Sequence, residues 1–218
     1  NQIENELRKP KLVNSMKNLN YNLSIKSKTL PLLSEAIAAY DFSEKDSSFI
    51  KDVSGNGKDL TISTGSASDF TFSDNSPTSN PVLEINSDNS GYFQDFSNLT
   101  RIHLSMWFYV NTTSDIMWVS LEPSNNSSTT FWSNDSVFMV NQWGFGSSSA
   151  SNWTSGWHHV IWWWGSNGAG FILDGNNAVT QNGNTIDPIQ LRIGDTVKKP
   201  SAGTKITDLM IFDDLTDL

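Results

Sequence analysis

The chain contains no cysteine. Disulfides, thiolate-held metals and cysteine nucleophiles are therefore excluded. The compartment stays open, because cytosolic proteins need no disulfide and many surface proteins fold without one. Charge is also sparse, with Asp, Glu, Lys and Arg making up 17% of the 218 residues. Asn, Ser, Thr and Gly take their place, the composition of a turn-rich β protein with a neutral polar surface. No apolar run nears the ~20 residues a membrane-spanning helix needs, so no membrane insertion is expected. No signal-like apolar segment follows Asn1, which predicts that a targeting peptide was removed or never present. The missing initiator Met favours cleavage or truncation.

What charge there is divides unevenly. Residues 1–40 hold six cations against three anions, a balance of +3. The remainder holds eight against twenty, a balance of −12, and the two sum to the net −9. An acidic body argues against nucleic-acid binding through the main domain, and a basic tail argues for an anionic partner, the alternative being that it serves solubility alone. Residues 1–34 lack glycine and, across their length, show neither strict alternation nor a sustained helical stripe. Leu12, Val13 and Met16 would share a short helical face behind Pro10, and YNLSIKSKTL would suit an extended edge strand. Leu12, Val13, Met16, Leu19, Leu23, Ile25, Leu30, Leu32 and Leu33 are too many apolar residues for a pure linker. Residues 1–35 are thus expected to be a basic arm that orders against neighbouring structural subunits, the alternative being a mobile one.

From Ala36 onward short apolar runs alternate with clusters of Gly, Asn, Asp and Ser. Strands are predicted at 37–42, 60–63, 70–73, 82–85, 91–96, 102–110, 116–121, 129–133, 137–141, 157–164, 169–175, 189–194 and 206–212. No segment of the body reads as a helix, and neither a repeat nor a second boundary interrupts 36–218. The pattern predicts one all-β domain, an antiparallel sandwich or barrel.

Within it, WHHVIWWWGSNGAGFILDGN (157–176) reads as a hairpin closed by GSNG. Alternation sends Trp157, His159, Ile161 and Trp163 to one face and His158, Val160, Trp162 and Trp164 to the other. The adjacent histidines then cannot chelate one metal together. One tryptophan set belongs to the core, and the outward set is a candidate groove lining.

LSMWFYV (104–110), GWHHVIWWWGSNGAGFILDGN (156–176), IQLRIGD (189–195) and KITDLMIFDD (205–214) stand in an order that resembles laminin G-like, concanavalin A-like domains. So does AIAAYDFSEKDSSFIKDVSGNGKDLTI (36–62), with its aromatic-Asp pair followed by Asp-x-Ser-Gly-Asn-Gly. The resemblance covers residues 36–218 and implies a two-sheet antiparallel jelly roll whose first and last strands are paired neighbours. Related domains often hold calcium, which takes oxygens from Asp, Asn and carbonyls. A structural calcium would fall to Asp41, Asp52 and Asn56, although Asp52 and Asn56 inside DVSGNG also read as Asx turns.

Glycosidases of this resemblance carry closely spaced carboxylates on one strand, because two must flank the scissile bond. Glu35, Glu44, Glu84 and Glu122 form no such set. Arg101, His103 and Tyr109 are the best catalytic cluster available, and no Ser-His-Asp motif or phosphate loop appears, so catalysis is not expected. Glycan binding needs aromatic platforms beside short polar side chains. Trp132, Asn134, Asp135, Trp143, Asn152 and Trp153 supply both and are expected at a loop rim. The function expected is a non-catalytic recognition module for cell-surface or environmental glycans. It would be carried on a virion or fibre through residues 1–35 and would face the extracellular side or the virion surface. The alternatives are a purely structural virion, fibre or decoration protein and a secreted bacterial carbohydrate-binding accessory domain.

Overall fold

The structure is a computed structural model. It describes residues 33–45, 48–96, 101–110, 117–122, 129–134, 137–142, 146–150, 154–165, 168–176, 179–181, 190–194 and 202–213. A 3-10 turn at Leu33–Glu35 leads into β1 (Ala38–Tyr40), β2 (Phe49–Ile50) and β3 (Leu60–Thr64). A second turn, Ala67–Asp69, precedes β4 (Phe70–Ser73), β5 (Val82–Ile85) and β6 (Gly91–Asp95). The middle of the chain forms β7 (Arg101–Val110), β8 (Met117–Glu122), β9 (Thr129–Asn134), β10 (Val137–Gln142) and β11 (Gly146–Ala150). Then come β12 (Gly156–Gly165), β13 (Gly168–Leu173), β14 (Val179–Gln181), β15 (Gln190–Gly194) and β16 (Lys205–Asp213).

These strands make two antiparallel sheets packed as a jelly-roll sandwich. The first runs β14-β13-β12-β7-β16-β5-β4, with β1 also paired to β16, and the second runs β11-β10-β9-β8-β15-β6-β3-β2. The first and last strands are neighbours as expected, with Ala38 opposite Ile211 and Tyr40 opposite Leu209. Every predicted strand is present to within a few residues. The three that sequence reading missed, β2, β11 and β14, each end a sheet. Two or three residues, or the apolar-poor GSSSA, give no period to detect.

Alternation explains why β7 is central. Ile102, Leu104, Met106, Phe108 and Val110 are at most 1% exposed and fill the space between the sheets. Val119, Leu121, Tyr92, Leu191, Ile193 and Leu60 meet them from the second sheet. Burying each such side chain stabilises by about 1.5–3 kcal/mol. A satellite cluster of Leu33, Ala36, Ala39, Met210 and Phe212, with Val53 against it, covers the outer side of β16. Midway along β16 the register slips by one residue between Thr207 and Met210. Asp208 takes the bulge at φ 52°, and its buried carboxylate accepts a hydrogen bond from Asn80 Nδ2, which ties the loop before β5 to the last strand.

Candidate functional site

The histidine and tryptophan strands pair as a hairpin as predicted, with residues 166–167 of the turn and the side chain of Trp164 lying outside the described residues. Trp162 and Val160 enter the core and are fully buried, whereas Trp157, Ile161 and Trp163 stand half-buried on the outer face of the first sheet. The register continues that face onto β7, where His159 lies opposite Trp107, Trp157 opposite Tyr109 and Trp163 opposite His103. Ring centroids are 5.2 Å apart for Trp107 and His159 and 5.3 Å for Tyr109 and Trp157. The catalytic cluster weighed from sequence does not assemble. His103 and Tyr109 share a face, but six residues of extended chain separate them by about 20 Å, and His103 is 2% exposed. The side chain of Arg101 lies outside the described residues.

A different set, invisible as a motif, does come together. Ser105 Oγ lies 2.9 Å from His159 Nε2. Asp174 Oδ2 lies 2.6 Å from His158 Nδ1, and Asp174 Oδ1 accepts the His159 backbone N–H at 2.8 Å. A Ser-His-Asp relay needs the carboxylate and the hydroxyl on opposite nitrogens of one imidazole. Here they serve two rings on opposite faces of the strand, so the carboxylate cannot orient the histidine that meets the serine. Both nitrogens of His158 face acceptors, Asp174 on one side and the Thr154 carbonyl at 2.9 Å on the other. Burial lowers its pKa, but the bonds to Asp174 and Thr154 and the carboxylate charge outweigh it and raise the value overall. His159 has only burial and a weaker pull from Asp174, and falls to about 4.

The residues named for calcium are engaged with the chain itself. Asp52 Oδ1 accepts the N–H of Ala39 and of Ser54, and its Oδ2 accepts that of Lys58, at 2.9–3.0 Å. Asn56 Nδ2 donates to the Ala36 carbonyl at 2.8 Å, and Asp41 Oδ1 accepts from both the amide and hydroxyl of Ser43. DVSGNG is therefore a staple fastening its loop to β1 and to the end of the first turn; Asp52 makes the expected Asx turn with Ser54, whereas Asn56 reaches back to Ala36 instead. Among the described residues no three His, Asp or Glu side chains gather at one point.

Of the six residues expected at a glycan rim, Asp135, Trp143, Asn152 and Trp153 lie outside the described residues. Trp132 and Asn134 lie within β9 rather than on a rim loop, Trp132 in register with Met139 and Met117 and Asn134 with Val137. The side chains of these two also lie outside the described residues. Their strand stands two places from β15 in the second sheet. There, on the outer face, the register sets Arg192 between Ser120 and Phe93. Arg192 Nε donates to Gln190 Oε1 at 2.6 Å, and Gln190 Nε2 donates to Asp95 Oδ1 at 2.6 Å. Phe93 is half-buried beside this chain of bonds, and exposed Thr61 follows it on β3. Sequence reading placed these residues on strands without assigning them a role. The available signal was IQLRIG, with Gln190 and Arg192 at its outward positions, and GYFQDF, with Phe93 and Asp95 at its own.

No family model matches the chain, and no curated protein matches it by sequence. Solved structures do match by shape. Trypanosoma rangeli sialidase in complex with sialic acid superposes with a TM-score of 0.60 at 14% identity, over 95% of this chain and 36% of that one. The botulinum neurotoxin serotype D binding domain gives 0.60 at 12% identity, over 84% of this chain and 48% of that one. The receptor binding domain of botulinum neurotoxin D gives 0.59 at 11%, over 84% and 50%. The chain thus spans between about a third and a half of these neighbours. At such identities the likeness establishes the architecture alone: a β-sandwich that recurs within larger chains.

Proposed function

We propose that residues 36–218 are a non-catalytic recognition module of the laminin G-like, concanavalin A-like kind, binding glycans on the outer face of the second sheet. Display on an extracellular or virion surface belongs to the same proposal. The observation that carries it is the line Asp95–Gln190–Arg192 beside the half-buried ring of Phe93. A sugar presents an apolar face to an aromatic ring and hydroxyls to planar donors and acceptors. A guanidinium offers a fork of donors, and holding it by Nε through Gln190 fixes its plane before a ligand arrives. That pre-orientation lowers the ordering cost of binding. Likeness to a receptor binding domain supports a recognition role at the level of the fold.

The test is a broad glycan array probed with the full chain, with and without calcium, beside Phe93→Ala, Arg192→Ala and Trp132→Ala variants of matched stability. Selective binding that disappears in the first two variants supports this site, and loss confined to Trp132→Ala moves the site to β9. Silence under every condition sinks the glycan reading. It would then favour a structural virion, fibre or decoration role, for which the half-buried aromatic face of the first sheet speaks.

A further inference from the structure

One row across the outer face of the first sheet plays no part in the line proposed on the second. Register sets Glu84 opposite Thr71 on one side and Lys205 on the other, and Tyr109 opposite Trp157. Lys205 joins the two halves, its Nζ 3.1 Å from Glu84 Oε2 and 5.8 Å from the centre of the Tyr109 ring. We propose that this row, Glu84–Lys205–Tyr109–Trp157, is a second sugar site that takes a neutral pyranose unit of a glycan.

Tyr109 and Trp157 form the apolar end. Both are half-buried, with ring centroids 5.3 Å apart in an edge-to-face arrangement. Aromatic area left at the surface beside polar groups suits the C–H face of a sugar. Glu84 and Lys205 supply what the hydroxyls need. Glu84 Oε1 accepts from Ser73 Oγ at 2.9 Å while Oε2 meets Lys205, so the carboxylate is held from two sides. The side chains of Lys205 and Glu84 are 30% and 21% exposed, which keeps the pair within reach of a ligand. An ammonium has three donors and a carboxylate about four acceptor positions, so one hydroxyl can accept from Lys205 and donate to Glu84. Holding the pair before a ligand arrives lowers the ordering cost of binding. From Glu84 on β5 to Trp157 on β12 is three strand spacings, about 14 Å, long enough for more than one ring.

Charge selects the occupant. The ammonium and carboxylate cancel, so an acidic sugar gains no net attraction and meets the Glu84 carboxylate as a repulsive element. The body, with eight cations against twenty anions over residues 41–218, repels it further. An ion pair this exposed contributes little to stability, so it can be altered in a chain that still folds.

The test titrates the full chain with neutral oligosaccharides and their carboxylated counterparts, read by glycan array and by tryptophan fluorescence. Glu84→Gln should weaken neutral binding about tenfold and turn the preference toward carboxylated sugars, because Lys205 is then uncompensated. A merely structural role for Glu84 would not reverse that preference. Trp157→Phe keeps a ring on the floor, so binding should persist while the ligand-induced fluorescence change is lost. Neutral binding unchanged in Glu84→Gln, or a fluorescence change that survives intact in Trp157→Phe, overturns the site. Phe93→Ala and Arg192→Ala separate it from the line on the second sheet. Binding lost only in those two overturns the present proposal and leaves the second-sheet line standing. Loss confined to Glu84→Gln supports the first-sheet row and sinks the other, and silence toward every sugar sinks both.

Discussion

His159 should make the fold acid-labile by a calculable amount. It is 5% exposed, is held by Ser105 and packs on Trp107, and burial draws its pKa to about 4. In the unfolded chain its pKa returns to about 6.5, so between these values the unfolded state binds more protons and stability falls as pH drops. Integrating over that interval gives a loss of about 2 kcal/mol at pH 5 and about 3 kcal/mol at pH 4. Other groups titrate too, so the measurement is a difference: urea unfolding by tryptophan fluorescence at pH 7.5, 6 and 5, wild type against His159→Gln. Glutamine keeps a partner for Ser105 and removes the titration. The wild type should lead at pH 7.5, and its lead should shrink by about 2 kcal/mol by pH 5. Parallel curves would refute the reasoning. His158 has the opposite sign. Its raised pKa stabilises the fold below about pH 6.5, and that contribution is lost as pH climbs through the folded value. For His158→Gln the wild type's lead should therefore grow toward acid.

Asp52→Ala strands the backbone N–H groups of Ala39, Ser54 and Lys58 around a residue that is 2% exposed. Calorimetry should show a loss of about 3 kcal/mol, with the wild-type melting temperature unmoved by calcium or a chelator. A calcium-dependent rise abolished in this variant would mean that the loop holds the ion. Gly65 has φ 86°, and a Cβ there would press on Ser90 Oγ and lie 2.8 Å from Asp69 Oδ2. Gly65→Ala should cost about 2 kcal/mol in denaturant unfolding, against about 1 kcal/mol for Gly57→Ala. Gly57 has a similar φ but open space around it. Equal costs would show that crowding is not what selects glycine at 65.

The sandwich is legible in the sequence because its central strands must hide one face. IHLSMWFYV and ITDLMIF carry enough apolar residues to announce themselves, and the apolar side chains that β7 sends into the core fall at every second position as the period demands. The same alternation separates the paired histidines, since neighbours on a strand point to opposite faces. It fails at the sheet ends. GSSSA in β11 has a single neighbouring strand and little apolar area to hide, and β2, although it buries Ile50, is two residues long and too short to show a period. The bulge at Asp208 is also silent: aspartate is the residue of TDLMIF that best tolerates a left-handed backbone, but nothing in the pattern says that the strand is interrupted there.

Sites on a sheet face are harder to read than sites in loops, for a physical reason. A loop site advertises itself by clustering in sequence, which is why 131–153 stands out with its tryptophans and asparagines. Gln190 and Asp95 are 95 positions apart in the chain yet become cross-strand partners once β15 and β6 pair. Each looks like a solvated polar residue until the register is known. Ser105, His159 and Asp174 teach the complementary lesson. Proximity restored residue types that form a relay elsewhere, while the alternation of His158 and His159 divided them between two rings. Register therefore decides both outcomes: it assembles a polar row on one sheet and divides Ser105 and Asp174 between two imidazoles on the other. The rows across the strands are what the sequence alone does not write side by side.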